Sequence, residues 1–116
     1  MAAKYTHVQE TISAKQEEKW RRKRHREDGV SSLPAGVTMK DHGRAGFIYY
    51  SFNGKVSEVF WEMSGSPESD IQVSPAGFNE WVWPKTEKTT PDERQYIEVA
   101  VTTWLAERGY RTVFGP

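Results

Sequence analysis

The chain contains no cysteine, which excludes disulfide bonds, thiolate metal sites and cysteine nucleophiles. Small secreted domains often depend on disulfide bonds, so this absence is more typical of a reducing cytoplasm. No apolar run reaches the length of a transmembrane helix, and the N-terminal stretch MAAKYTHVQET lacks the hydrophobic region of a signal peptide. We therefore expect a cytoplasmic protein that does not enter a membrane.

The chain also lacks any net charge, with 16 Lys and Arg against 16 Asp and Glu. The distribution is uneven, however. Residues 1–28 hold eight basic and five acidic side chains, a net charge of +3, whereas residues 29–116 hold eight basic and eleven acidic, a net charge of −3. A net charge of zero produces no overall electrostatic field that would attract polyanions. The asymmetry predicts a basic appendage over residues 1–28 on a mildly acidic globule.

The N-terminal part is rich in helix formers but poor in apolar residues. Residues 8–27 predict a helix that Thr6 caps and Gly29 ends. Its thin apolar pattern indicates a helix that is partly frayed or docks by only a few residues. Gly, Ser and Pro over residues 29–36 predict a linker. The remaining residues, 37–116, are enough for one domain with a hydrophobic core.

The clearest local signal is FIYYSF–NG–KVSEVFWEM, in which two alternating apolar segments surround Asn53 and Gly54. This dipeptide suits a type I′ turn, where both residues need positive φ, and so predicts a hairpin of fixed register. The predicted pairs are Ile48–Val59, Tyr50–Ser57 and Phe52–Lys55 on one face, and Phe47–Phe60, Tyr49–Glu58 and Ser51–Val56 on the other.

The last helix is marked at both ends. Thr90 caps it, Pro91 fits the first helical position, Glu93 completes a T-x-x-E capping box, and Gly109 supplies the stop. Its apolar residues recur at helical spacing and form a single stripe: Ile97, Ala100, Val101, Trp104 and Leu105.

Short strands are predicted over residues 37–40, around Ile71 and Val73, over residues 78–84 and over residues 110–114. Together with the hairpin and the last helix they indicate an α+β fold. We expect an antiparallel sheet of four or five strands, one long C-terminal helix packed on a face of it, and an N-terminal helical appendage.

Catalytic groups are scarce. Asp41 and His42 could form a general-base pair with a serine, but adjacent residues rarely converge on one substrate atom, so a surface turn is favoured. Glu58 and Glu62 could meet Asp41 or His42 around a metal ion, although solvated carboxylates are favoured. No glycine-rich phosphate loop occurs in its strand-to-helix context. We expect no enzymatic activity, no metal and no cofactor.

The second face of the hairpin is the leading candidate for a binding surface. If the last helix covers Ile48 and its neighbours, the opposite face shows aromatic residues rimmed by carboxylates, as protein-binding sites often do. The alternative is that further elements cover this face as well. Two tryptophans of the WVWP segment could anchor a partner, although a core position is favoured. The candidate partner-binding residues are Phe47, Tyr49, Glu58, Phe60, Glu62, Trp81 and Trp83.

A rival function comes from the segment KWRRKRHR, which holds six Lys and Arg in eight residues. Such density binds nucleic-acid phosphates by counterion release, and a tryptophan is available for stacking. Acidic residues one turn away oppose this, through the pairs Glu17–Arg21, Glu18–Arg22, Lys23–Glu27 and Arg24–Asp28. The cations also encircle the helix, which disfavours a membrane surface. The alternative is therefore a nucleic-acid-binding accessory protein, with candidate residues Lys19, Trp20, Arg21, Arg22, Lys23, Arg24 and Arg26.

Residues 47–114 combine an aromatic hairpin, a W-x-W-P segment at residues 81–84, an E-R-x-x-I helix start at residues 93–97, and then Leu105 and Gly109 before a final strand. This combination resembles one group of small immunity proteins from bacterial polymorphic toxin systems. The resemblance implies a non-enzymatic α+β protein that binds and blocks a toxin domain. Separately, we expect the protein to be a monomer. It does not extend to the basic N-terminal segment.

Overall fold

The computed structural model describes the backbone of residues 2–115 and the side chains of residues 14–115. The chain divides into two compact units, Met1–Ser31 and Ser32–Pro116. The first unit contains helix α1, which spans Ala2–Glu27. Because α1 begins ahead of Thr6, the expectation that Thr6 caps this helix is wrong.

The segment predicted as a linker is partly structured. Gly29 ends α1 with a φ of 66°, the left-handed conformation that glycine adopts without steric cost. A 3-10 turn then spans Val30–Ser32, and Val30 is buried. The composition of this segment predicted a linker, and it did not indicate the 3-10 turn or the burial of Val30.

The second unit is an α+β domain on a mixed five-stranded sheet. Its elements are β1 (Gly36–Asp41), β2 (Ala45–Phe52), β3 (Lys55–Met63), β4 (Ile71–Val73), β5 (Glu80–Trp81), β6 (Glu87–Lys88), α2 (Pro91–Glu107) and β7 (Thr112–Phe114). The main sheet has the order β1-β2-β3-β4-β7, and β5 pairs with β6 separately. Strand β7 runs parallel to β4, while the other pairs are antiparallel. The prediction of an antiparallel sheet is therefore wrong at β7, because α2 lies in the β4-to-β7 connection and allows a parallel return.

The hairpin β2–β3 has the predicted turn and register. Asn53 and Gly54 have φ values of 52° and 76°, so both turn positions have the positive φ of a type I′ turn. Each predicted pair forms, from Phe47–Phe60 to Phe52–Lys55. Since successive residues point to opposite faces, this register decides which side chains can share a surface.

One hydrophobic cluster forms the core of the second unit. Its buried members are Ile48, Val59, Trp61, Ile71, Val73, Phe78, Trp81, Ile97, Val101 and Leu105. The sheet residues of this cluster define what we call the inner face, and the opposite side of the sheet is the outer face. Helix α2 contributes three residues of its predicted stripe, and Trp81 joins them, as the core interpretation of the WVWP segment expected.

The start of α2 matches its sequence signature. The Thr90 hydroxyl accepts a hydrogen bond from the Glu93 N–H at 3.1 Å, and the Glu93 carboxylate accepts one from the Thr90 N–H at 2.8 Å. That second bond is the main reason why the pKa of Glu93 lies below its usual value. Residues 78–84 differ from prediction, because a 3-10 turn occupies Pro75–Asn79, strand β5 covers only Glu80–Trp81, and Trp83 forms an isolated β-bridge with Val56.

Candidate functional site

A run of three aromatic rings crosses the outer face of β2 and β3. The ring centroid of Phe47 is 5.5 Å from that of Phe60 and 6.4 Å from that of Tyr49. Burial falls along the run: Tyr49 is fully buried, Phe47 is half-buried, and Phe60 is 39% exposed. On the outer face, solvent therefore reaches Phe60 but not Tyr49.

Two of the predicted partner-binding residues cannot contact a partner from the surface. Tyr49 and Trp81 are both fully buried, and Trp81 belongs to the core cluster. The Lys55 ammonium lies 5.9 Å from the Trp81 ring centroid and donates a hydrogen bond to Glu87, which raises the pKa of Lys55. Trp81 therefore stabilises the fold, and the predicted contact surface loses Tyr49 and Trp81.

The other predicted residues remain accessible to different degrees. Trp83 and Glu58 are half-buried, whereas Glu62 is exposed. The backbone of Trp83 is fixed against β3, since the Val56 N–H donates to its carbonyl oxygen at 2.9 Å. The structure thus brings Phe47, Phe60 and Glu62 together, and it places Trp83 at the start of β3.

The exposed part of the outer face continues from Phe60 toward β7. Glu62 pairs with Gln72 of β4, and Gln72 pairs with Val113 of β7. Val113 is 43% exposed, and Gln72 is half-buried. We call Phe60, Glu62, Gln72 and Val113 the outer patch. It combines apolar area with a carboxylate and an amide, the composition of many protein contact surfaces.

Sequence reasoning missed Gln72 and Val113 as members of this surface. Both lie in short strands that the sequence predicted, and the two-residue alternation of a strand is the signal that could have assigned each of them to a face. Their proximity to Glu62 depends on the parallel pairing of β7 with β4, which no local pattern encodes.

A cleft of about 440 Å³ lies at the edge of the inner face, between β1, β3, β4 and the end of α2. Its apolar lining comes from Met39, Trp61, Met63, Ile71, Trp104 and Tyr110. Its two carboxylates are already engaged. Asp41 accepts a hydrogen bond from the Gly43 N–H at 2.8 Å, and Asp70 accepts bonds from Arg111 that hold the pKa of its carboxyl below the usual value. The cleft is large enough for a small ligand, with a mainly apolar lining.

The predicted catalytic candidates lie in a surface turn. His42 is exposed, and its backbone N–H donates to the carbonyl oxygen of Ala45 at 2.9 Å. Among the side chains of residues 14–115, no group of three His, Asp or Glu is arranged to hold a metal ion. Within the described part of the chain, no helix has both the length and the apolar character needed to cross a membrane.

The basic segment lies on α1. Arg22 donates a hydrogen bond to Glu18 at 2.5 Å, and the Lys23 ammonium lies 3.9 Å from the Glu27 carboxylate. Two of the predicted i,i+4 ion pairs therefore form. Trp20 is 55% exposed. The predicted cations differ in exposure: Lys19, Arg22, Lys23 and Arg26 are exposed, whereas Arg21 and Arg24 are half-buried. All of them lie on one continuous helix.

Comparison with known proteins found no matching family model, no matching curated protein and no matching solved structure. The function of the chain is therefore inferred from its own surfaces and motifs.

Proposed function

We propose that this protein is a small, non-enzymatic binding protein whose outer patch contacts a protein partner. The proposal rests mainly on the exposure of Phe60. This residue is 39% exposed within β3, a strand paired on both sides in the sheet, and it lies beside the exposed residue Glu62. A large aromatic residue with a charged neighbour on a paired strand fits the pattern of an interface anchor with a polar rim.

The partner proposed for this patch has an apolar pocket bordered by Lys or Arg. Phe60 would fill the pocket, while Glu62 and the net charge of −3 over residues 29–116 would favour a basic rim. Val113 and Gln72 extend the contact area onto β4 and β7.

The motifs shared with immunity proteins support a narrower form of the proposal. The W-x-W-P segment and the E-R-x-x-I helix start both lie in the second unit, and that resemblance suggests a toxin domain as the partner. In this form the protein is a cytoplasmic monomer that inhibits the toxin by occupying its surface.

The test measures binding of the full chain to purified products of its neighbouring genes. We expect one of them to bind. We expect Phe60→Ala to weaken that binding by at least about tenfold, because the variant lacks the aromatic side chain that would be buried in the complex. Phe52→Ala is the matched control, since Phe52 is 49% exposed but lies outside the outer patch. Absence of any binder, or equal losses in the two variants, would contradict the proposal.

A further inference from the structure

Among the described side chains of α1, residues 14–27, the exposed cations form a single stripe along the helix. Lys15, Lys19, Arg22, Lys23 and Arg26 are all exposed, at relative positions i, i+4, i+7, i+8 and i+11. Residues at these spacings lie on one face of a helix. We call these five residues the basic stripe. At 1.5 Å per residue it extends roughly 16 Å along the helix axis.

The positive residues occupy both sides of the helix, but Arg21 and Arg24, which lie away from the stripe, are half-buried. The cations that solvent reaches most freely are therefore concentrated on one side. A stripe of this kind presents several positive charges to one linear polyanion at once.

The ion pairs within α1 leave most of this charge available. Among the described side chains, Lys15, Lys19 and Arg26 take part in no ion pair, while Arg22 and Lys23 face Glu18 and Glu27. Those two pairs are more than half exposed, and exposed pairs of this type contribute little stability. Arg22 and Lys23 can therefore exchange a carboxylate for a phosphate at small cost.

Trp20 borders the stripe and is 55% exposed. An exposed indole beside a row of cations provides a stacking surface for an unpaired base. A membrane surface would instead require an apolar face on the helix, and Trp20 is the one large apolar side chain among residues 14–27. The combination of stripe and indole favours a single-stranded nucleic acid.

We propose that the basic stripe binds the phosphate backbone of single-stranded nucleic acid while Trp20 stacks on one of its bases. This activity involves the first unit and does not depend on the protein-binding role of the outer patch. The chemistry is electrostatic and tolerant of sequence, so binding should weaken strongly as salt rises.

The experiment follows anisotropy of labelled single-stranded and duplex oligonucleotides with the full chain, between about 50 and 200 mM KCl. Each phosphate that a Lys or Arg neutralises contributes about −0.7 to the slope of log affinity against log salt for a single strand. The variant Lys19→Gln, Arg22→Gln, Arg26→Gln should therefore make the slope shallower by about 2. The control is Arg44→Gln, Lys85→Gln, Lys88→Gln, which removes three exposed cations from the second unit and should leave the slope unchanged.

The variant Trp20→Ala distinguishes the contribution of base stacking to affinity from the contribution of charge. We expect it to weaken single-strand binding about fivefold or more while leaving the salt slope and duplex binding unchanged. Far-UV circular dichroism checks that each variant keeps its helix. A flat salt response, equal losses in the stripe and control variants, or binding to phosphatidylserine vesicles without binding to oligonucleotides would overturn the proposal.

Discussion

At the scale of single residues, Gly46 determines how Trp61 packs. It lies between Asp41 of β1 and Trp61 of β3 in the sheet pairing. The indole N–H of Trp61 donates to the carbonyl oxygen of Lys40 at 3.2 Å. A methyl group at position 46 would collide with that oxygen and lie 2.9 Å from the indole nitrogen. The site therefore needs glycine for space rather than for an unusual backbone conformation.

We predict that Gly46→Ala lowers the free energy of unfolding by about 1–3 kcal/mol, the usual cost of overpacking a close contact. Urea denaturation followed by tryptophan fluorescence measures the change. Gly65→Ala is the control, because a methyl group there meets no atom within 4 Å. If Gly65→Ala costs as much as Gly46→Ala, the loss reflects glycine replacement in general and the steric explanation is wrong.

Tyr49 and Phe60 show what the sequence could not resolve at this scale. The register places both on the outer face, as the alternation predicted. Yet Tyr49 is fully buried and Phe60 is 39% exposed. Alternation assigns a side chain to a face, but exposure depends on which other parts of the chain lie over each position. The sequence could therefore assign the candidate residues to one face of the sheet, but it could not show which of them are exposed.

At the scale of elements, the hairpin and the start of α2 were predictable because their signals are local. Asn53 and Gly54 determine the turn and hence the register, and Thr90 with Glu93 determines the first turn of the helix. Strand β7 differs, because its position beside β4 depends on the β4-to-β7 connection as a whole. Its existence was predicted from the sequence, whereas its parallel direction was not.

The junction of β4 and β7 is held by Asp70 and Arg111. The Asp70 N–H donates to the Arg111 carbonyl oxygen at 2.7 Å, and the Arg111 N–H donates back to the Asp70 carboxylate at 2.7 Å. The guanidinium adds a further bond of 3.0 Å to the same carboxylate. These bonds from Arg111 lower the pKa of Asp70.

This lowered pKa gives the junction a pH dependence. Because the folded-state pKa lies below the unfolded value of about 3.9, the contribution of Asp70 to stability is present above that pH and is lost as pH falls through the folded value. We predict that Asp70→Asn lowers the free energy of unfolding at pH 7, and that the difference from wild type shrinks below about pH 4. Denaturation at several pH values measures it. Glu68→Gln removes a nearby exposed carboxylate as control, and a difference independent of pH would contradict the electrostatic explanation.

At the scale of the whole molecule, the two compact units carry opposite charge and separate candidate surfaces. The basic stripe lies in Met1–Ser31, and the outer patch lies in Ser32–Pro116. Composition alone predicted the charge division, because charged residues can be counted without knowing the fold. Each proposed activity can therefore be removed without deleting the residues that carry the other.

The core cluster lies entirely within the second unit, from Ile48 to Leu105. We therefore predict that a chain consisting of residues 32–116 folds without the first unit. It should keep a cooperative unfolding transition and the near-UV circular dichroism of its packed aromatic residues, while losing salt-dependent oligonucleotide binding. The same fragment with Leu105→Ala is the control. This core truncation should lower the free energy of unfolding by about 2–5 kcal/mol and so lower the midpoint of the unfolding transition. A fragment that shows no cooperative transition, or whose stability does not respond to Leu105→Ala, would mean that the buried cluster of the second unit is not sufficient to hold the sheet and α2 together.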